Sequence, residues 1–164
     1  VEDFEAWVHA RGGALARTAY LLTGDVHLAE DLVQDTLARV AQHWRKVGEE
    51  PDAYARRVLH NLAIDRWRRR SVRPREVGGA HPEIGATGPD VERRLLLRDA
   101  LLRLTPKQRA VLSLRFYEDL TEVQTAAVLG CSPNTVKSQT RTALERLRVL
   151  APDLLAELTE EARS

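Results

Sequence analysis

Three groups of side chains in this 164-residue sequence have types and spacings suited to a charged partner. The first follows Gly130. On a helix opening near Ser132-Pro133, Thr135, Lys137, Ser138 and Arg141 fall toward the outer side and Val136 toward the inner side. A helix N-terminus bearing hydroxyls and long cations fits a major groove, where Lys and Arg read guanine and Ser or Thr reach bases or phosphates. The second group lies in residues 51–75, where eight arginines stand against two acids, a local charge of +6. That density exceeds what solubility needs and suits attraction to phosphates. Within it, Asn61 has apolar neighbours Leu59, Leu62 and Ala63, so its amide is either a structural hydrogen bonder or a base reader. The third group is acidic: Asp31, Gln34 and Asp35 share a helix face, with Glu30 nearby, opposite Leu28, Leu32 and Val40. Taken alone it reads as a solvated face, without the converging second group that a metal site needs.

Enzymatic chemistry is poorly supported. His9, His27, His43, His60 and His81 are scattered, and no HExxH pair occurs. Gly12-Gly13 and Gly78-Gly79 fit no phosphate-loop spacing. The single cysteine, Cys131, excludes an internal disulfide and any multi-thiolate metal site, and its place at a turn suits a small buried residue better than a nucleophile. The expectation is a non-enzyme with no cofactor, no metal and no small-molecule substrate. No apolar run approaches the roughly 18 residues of a membrane span, and no basic n-region opens the sequence, so a cytoplasmic protein without membrane insertion is expected. The absence of methionine implies residues before Val1.

The elements that must carry these groups read as helices. Hydrophobic residues at 43% and charged residues at 30% suit packed cores with a hydrated surface. Residues 76–92 hold four of the nine glycines, two prolines and four acids with no Lys or Arg, the composition of a linker. It separates residues 1–75 from 93–164. Residues 1–50 carry a net −4, and a short acidic tail, 149–164, carries −3. In the first part, Gly12-Gly13 weakens a helix containing Trp7, Leu15, Ala19 and Leu22. Asp25 is placed to cap a second helix, and Pro51 to open a third that runs to about Arg70. In the second part, residues 91–104 form an apolar helix, and Thr105-Pro106 opens another containing Val111, Leu112, Leu114 and Phe116. Thr121 opens the next helix, Gly130 closes it, and Ser132-Pro133 starts the last; Ala126 and Ala127 supply small residues for a close crossing. Short helices with three- or four-residue connections make a helix-turn-helix. The tail either packs as a last helix or serves as a regulatory extension. The fold class is all-α: two small helical domains joined by a flexible linker, the C-terminal one a helix-turn-helix.

Three segments, in order, resemble the extracytoplasmic-function class of the sigma-70 family of RNA polymerase sigma factors. LGCSPNTVKSQTRTALERLR, residues 129–148, resembles the family's promoter-reading helix-turn-helix. AEDLVQDTLARVAQHW, residues 29–44, resembles its polymerase-binding segment, and PDAYARRVLHNLAIDRWRRR, residues 51–70, its promoter-melting segment. The resemblance implies a factor that binds core RNA polymerase and directs promoter recognition and DNA melting. Residues 1–75 would bind core enzyme and recognise and melt the minus-ten element, and 93–164 would read the minus-thirty-five element.

By that resemblance, Asp31, Leu32, Gln34 and Asp35 match the DLxQ(D/E) positions that grip a basic coiled coil on the polymerase's largest subunit. Asn61 matches the asparagine lining a pocket for a base flipped from the non-template strand, with Arg56, Arg57 and His60 as further minus-ten candidates. Residues 45–52 would lie beside that pocket. Trp44 and Trp67 are expected to pack in the core rather than stack on bases. Thr135, Lys137, Ser138, Gln139 and Arg141 match positions facing the minus-thirty-five element, and Arg115 one near the DNA backbone. Gln139, Thr140 and Thr142 depart from the commonest pattern, which bears on the promoter sequence read rather than on the fold. The linker would thread the enzyme's RNA-exit path, and an anti-sigma factor is a further partner the family allows. The alternative is a stand-alone helix-turn-helix regulator with an N-terminal sensing or dimerisation domain. The basic helix at 51–70 argues against it.

Overall fold

Local punctuation sets the helices of a computed structural model that describes residues 2–71 and 89–153. The chain folds as two compact units, Val1–His81 and Pro82–Ser164, with the division inside the expected linker.

In the first unit, α1 spans Glu2–Thr23, α2 Val26–Val47 and α3 Pro51–Ser71. α1 runs unbroken through Gly12-Gly13. Each glycine costs a helix about 1 kcal/mol relative to alanine, and packing of Leu15, Ala19 and Tyr20 on the other helices outweighs that cost. Asp25 caps α2, its Oδ1 accepting the Leu28 N–H at 2.9 Å. Gly48 ends α2 at φ 60, a backbone region that other residues enter with strain. Ala19, Ala29, Leu32, Val58, Leu59 and Leu62 form the core. α3 packs against both α1 and α2, so its buried arc is wide.

In the second unit, α4 spans Pro89–Leu102, α5 Pro106–Leu112, α6 Glu122–Leu129 and α7 Pro133–Leu150. Residues 89–92, expected as linker, are therefore the first turn of α4. Thr105 and Thr121 each close a capping box, with Gln108 and Gln124 respectively. α5 does not continue as α-helix through Phe116: Ser113–Tyr117 form a π-helical turn, closed by Glu118 N–H on Ser113 O at 2.9 Å. Val111, Ala126 and Val136 form a small core, with Leu129 and Cys131 packed against it. Among the described residues there are no strands, as an all-α fold requires. The rest of the expected linker, up to residue 88, and tail residues 154–164 fall outside the described residues.

Candidate nucleic-acid interfaces and acidic docking face

The acidic face of α2 is built as the sequence implies, with one exception. Asp31, Gln34 and Asp35 are exposed on one side of the helix. Leu32, counted among the polymerase-gripping residues, is instead completely buried in the first unit's core. Its position on the opposite side of α2 packs it with Val58, Leu59 and Leu62, so it orients the acidic face without belonging to it. Across the surface, Arg66 of α3 donates to Asp35 Oδ2. Asp31, Gln34 and Asp35 line an open groove together with Arg66, Arg69 and Arg70, so acidic and basic surfaces meet along one seam.

α3 presents Arg57, Arg68, Arg69 and Arg70 to solvent and holds Arg56 and Asn61 half-buried. His60, expected among the minus-ten contacts, is 0% exposed, its Nδ1 lying 2.9 Å from Arg56 O. The wide buried arc of α3 explains this correction: a helix packed on two neighbours encloses positions beside its main apolar stripe. Asn61, one position further round, stays at the rim, where its amide is reachable. Trp44 and Trp67 are packed, as expected: Trp44 meets Phe4 edge-on at 5.2 Å between centroids, and Trp67 lies half-buried beside Leu22, Leu28 and Ala63.

In the second unit, Thr121 starts α6 and Gly130 stops it in the left-handed region, φ 66 and ψ 37, with its N–H on Ala126 O. Cys131 N–H reaches the same carbonyl at 3.1 Å, and Ser132 Oγ accepts the Thr135 N–H at 3.1 Å to open α7. This tight reversal fixes how the N-terminus of α7 leaves the domain. Val136, Ala143 and Leu147 turn inward at i, i+7 and i+11, almost fully buried. The same period sends Lys137, Ser138 and Arg141 outward, all exposed, with Gln139 half-buried beside them. Thr135 is half-buried and its hydroxyl lies 2.9 Å from Ser132 Oγ, so part of its capacity serves the cap. Ala127 is exposed rather than at a helix crossing; Ala126 packs with Val111 and Val136 there, and Thr125 beside it is fully buried.

Two arginines hold this unit together from within. Arg115, expected near the DNA backbone, is half-buried and donates an Nη1 hydrogen to Leu120 O, tying the π-helical turn to the residue before the Thr121 cap of α6. A guanidinium has five donors, so this bond commits only part of it. Arg109, which no sequence motif singles out, is 2% exposed. Its Nε donates to Leu101 O at 2.8 Å, a carbonyl that also accepts the Leu104 N–H at 3.1 Å, and its Nη2 donates to Leu104 O at 3.2 Å, tying α5 to the turn after α4. Desolvation by burial lowers its pKa to about 10, leaving it cationic at neutral pH. The available signal is the break at Leu104-Thr105-Pro106, where the chain turns between two helices and its carbonyls can take a further donor. Among the described residues, no group of three or more His, Cys, Asp or Glu is arranged to hold a metal ion.

The family pattern described as Sigma-70 region 2 matches residues 4–73, and that described as Sigma-70, region 4, matches residues 94–147. The chain is 41% identical to the RNA polymerase sigma-E factor of Streptomyces coelicolor over 166 aligned positions, covering 98% of this chain and 93% of that protein. It is 37% identical to the ECF RNA polymerase sigma factor SigL of Mycobacterium tuberculosis, covering 85% of this chain and 84% of that one. Among solved structures, it is similar to the sigma factor RpoE of Bartonella quintana, determined in complex with the anti-sigma factor NepR. The TM-score is 0.72 at 26% identity, over 93% of this chain and 99% of that one.

Proposed function

The chain belongs to the extracytoplasmic-function class of the sigma-70 family, and we propose how its surfaces divide the work of an RNA polymerase sigma factor. Sigma factors are non-catalytic initiation factors: they bind core RNA polymerase and bring it to promoter DNA. The matched segment at residues 4–73 removes the case for a sensing or dimerisation domain there, and with it the stand-alone regulator.

In our reading, the first unit docks on core enzyme through Asp31, Gln34 and Asp35, with charge-assisted hydrogen bonds to a basic partner supplying specificity. Arg56, Arg57 and Asn61 face the minus-ten element, with Arg68, Arg69 and Arg70 extending the cationic track along a melted strand. Residues 45–52 approach the same element from the N-terminal end of α3. In the second unit, Lys137, Ser138, Gln139 and Arg141 meet the minus-thirty-five element, with Thr135 at the helix start and Arg115 supporting the turn behind it. The segment between the units is read as a tether. Each unit needs only modest affinity, because docking on one polymerase raises the effective concentration of both.

The observation that carries this reading is the split of α2, α3 and α7: their main apolar stripes face inward, and one carboxylate face and two cationic faces face outward. No helix of the described residues is long and apolar enough to cross a membrane, and we place the protein in the cytoplasm with the polymerase. The Bartonella relative was solved with an anti-sigma factor, and we extend such a partner to this chain. Among the described residues, the large exposed apolar side chains (Leu95, Leu96, Tyr117, Val123 and Val149) all belong to the second unit. Run-off transcription by core polymerase tests the proposal. Specific initiation that requires the added protein is expected; tight operator binding by the protein alone, without effect on initiation, would overturn it.

A further inference from the structure

The connection between α2 and α3, residues 48–50, is short and weakly bonded to itself. The N–H of Glu50 lies 3.4 Å from Val47 O, and that of Tyr54 lies 3.4 Å from Glu50 O. Both are long for backbone hydrogen bonds. Gly48, Glu49 and Glu50 are exposed. The loop is steadied from outside, by α1. On the α2 side, Trp44 packs against Trp7, with ring centroids 5.6 Å apart. On the α3 side, Asp52 Oδ1 accepts the Trp7 Nε1 hydrogen at 2.7 Å, and Asp52 Oδ2 pairs with Arg11 Nη2 at 2.7 Å. One side chain of α1, Trp7, thus touches both flanks of the loop, and Arg11 reinforces one of them.

These contacts are not part of the buried core. The Arg11 and Asp52 side chains remain 55% and 41% exposed, and an exposed ion pair alone adds little to stability. Their effect is geometric. Asp52 sits in the first turn of α3, where both oxygens are held by donors from a different helix, and charge-assisted bonds are the more directional kind. A loop held before DNA arrives loses less freedom on binding, and discrimination between bases depends on placement to well under 1 Å.

We propose that Trp7 and Arg11 are positioning residues for promoter recognition: gripping Asp52 from α1, they fix the 48–50 loop in the pose that discriminates minus-ten bases. This rests on the reading above that residues 45–52 face the minus-ten element. Neither residue touches DNA in this scheme. They set selectivity through the loop and leave core docking and minus-thirty-five contact unchanged.

The test uses the full chain assembled with core polymerase and measures open-complex formation on its promoter and on single-base minus-ten variants. Trp7→Phe keeps the ring and removes the N–H, and Arg11→Gln removes the charge. Each is expected to lower the ratio of cognate to variant melting by roughly five- to tenfold, with helix content and core affinity unchanged. Asp52→Asn keeps an acceptor for Trp7 but not the ion pair, so it retains part of the selectivity. Arg11→Gln and Asp52→Asn combined lose less than the product of their separate effects, because both remove the same ion pair. Two results sink the clamp while the loop's role stands: unchanged selectivity in Trp7→Phe when Glu49→Ala with Glu50→Ala alters it, or equal loss on every promoter. If the loop substitutions also leave selectivity unchanged, the reading of the loop fails and the clamp fails with it.

Discussion

α3 and α7 are both basic helices assigned to DNA, yet they hold their charges differently. α7 buries one narrow stripe, Val136, Ala143 and Leu147, and leaves Lys137 and Arg141 exposed on the opposite side. α3 is packed on both α1 and α2; it encloses His60 and commits Arg66 to Asp35. α7 meets α4, α5 and α6 through that one narrow stripe, so its sequence period translates directly into an outward face. α3 meets α1 and α2 across a wider arc that includes His60 and Ile64, and its neighbours decide which cations stay available.

The strongest consequence falls at the seam where α3 meets the acidic face. Asp31→Arg with Asp35→Arg replaces both carboxylates with cations facing a basic partner, and loss of about 3–5 kcal/mol of core affinity is expected. Pull-down of core polymerase with the folded variant checks it, and undiminished capture would remove the docking role. Next comes Arg109→Ala, which removes two buried hydrogen bonds, to Leu101 O and Leu104 O, in the interior of the second unit. A loss of about 2–4 kcal/mol of stability is expected, read by thermal unfolding, with the first unit's transition unaffected.

Lys137→Ala or Arg141→Ala should weaken binding to the minus-thirty-five sequence by about 1–3 kcal/mol if the contact is to base edges, and should relax preference at one position. Equal loss on all sequences with a shallower salt slope assigns the contact to phosphate instead. A subtler effect separates two cations within α3. Arg57→Ala should reduce the salt slope of holoenzyme binding to a melted promoter by about 1, whereas Arg66→Ala should change it by much less. Equal changes would mean that Asp35 does not hold Arg66 away from the DNA.

What was legible in the sequence was mostly local chemistry. Asp25, Thr105, Thr121 and Ser132 cap as their residue types and positions imply, Gly130 reverses the chain, and Val136 faces inward, because each depends on neighbours within a turn or two. The faces of α2 and α7 followed from a single helical period. Leu32 was legible too: the family motif groups it with Asp31 and Gln34, but the helical period already sets it on the opposite, apolar side. The other misplacements are tertiary. His60 lies beside the main apolar stripe of α3, in an arc whose width no pattern in α3 announces. Arg109 becomes visible only once the end of α4 and the start of α5 are brought together, and the π-helical turn replaces a continuation that residues 113–117 alone support. The pairing of Arg66 with Asp35 joins residues 31 positions apart, beyond the reach of any periodicity.

On core polymerase, the carboxylate face and the two cationic faces should work as one promoter-opening device. Permanganate reactivity of thymines around the minus-ten element, measured with core enzyme and the chain separately and together, reads that cooperation out in a single assay. Reactivity only in the combined reaction, lost with Asp31→Arg and Asp35→Arg, is the expected result. Melting that survives those substitutions, or a combined reaction that leaves the promoter double-stranded, would refute it.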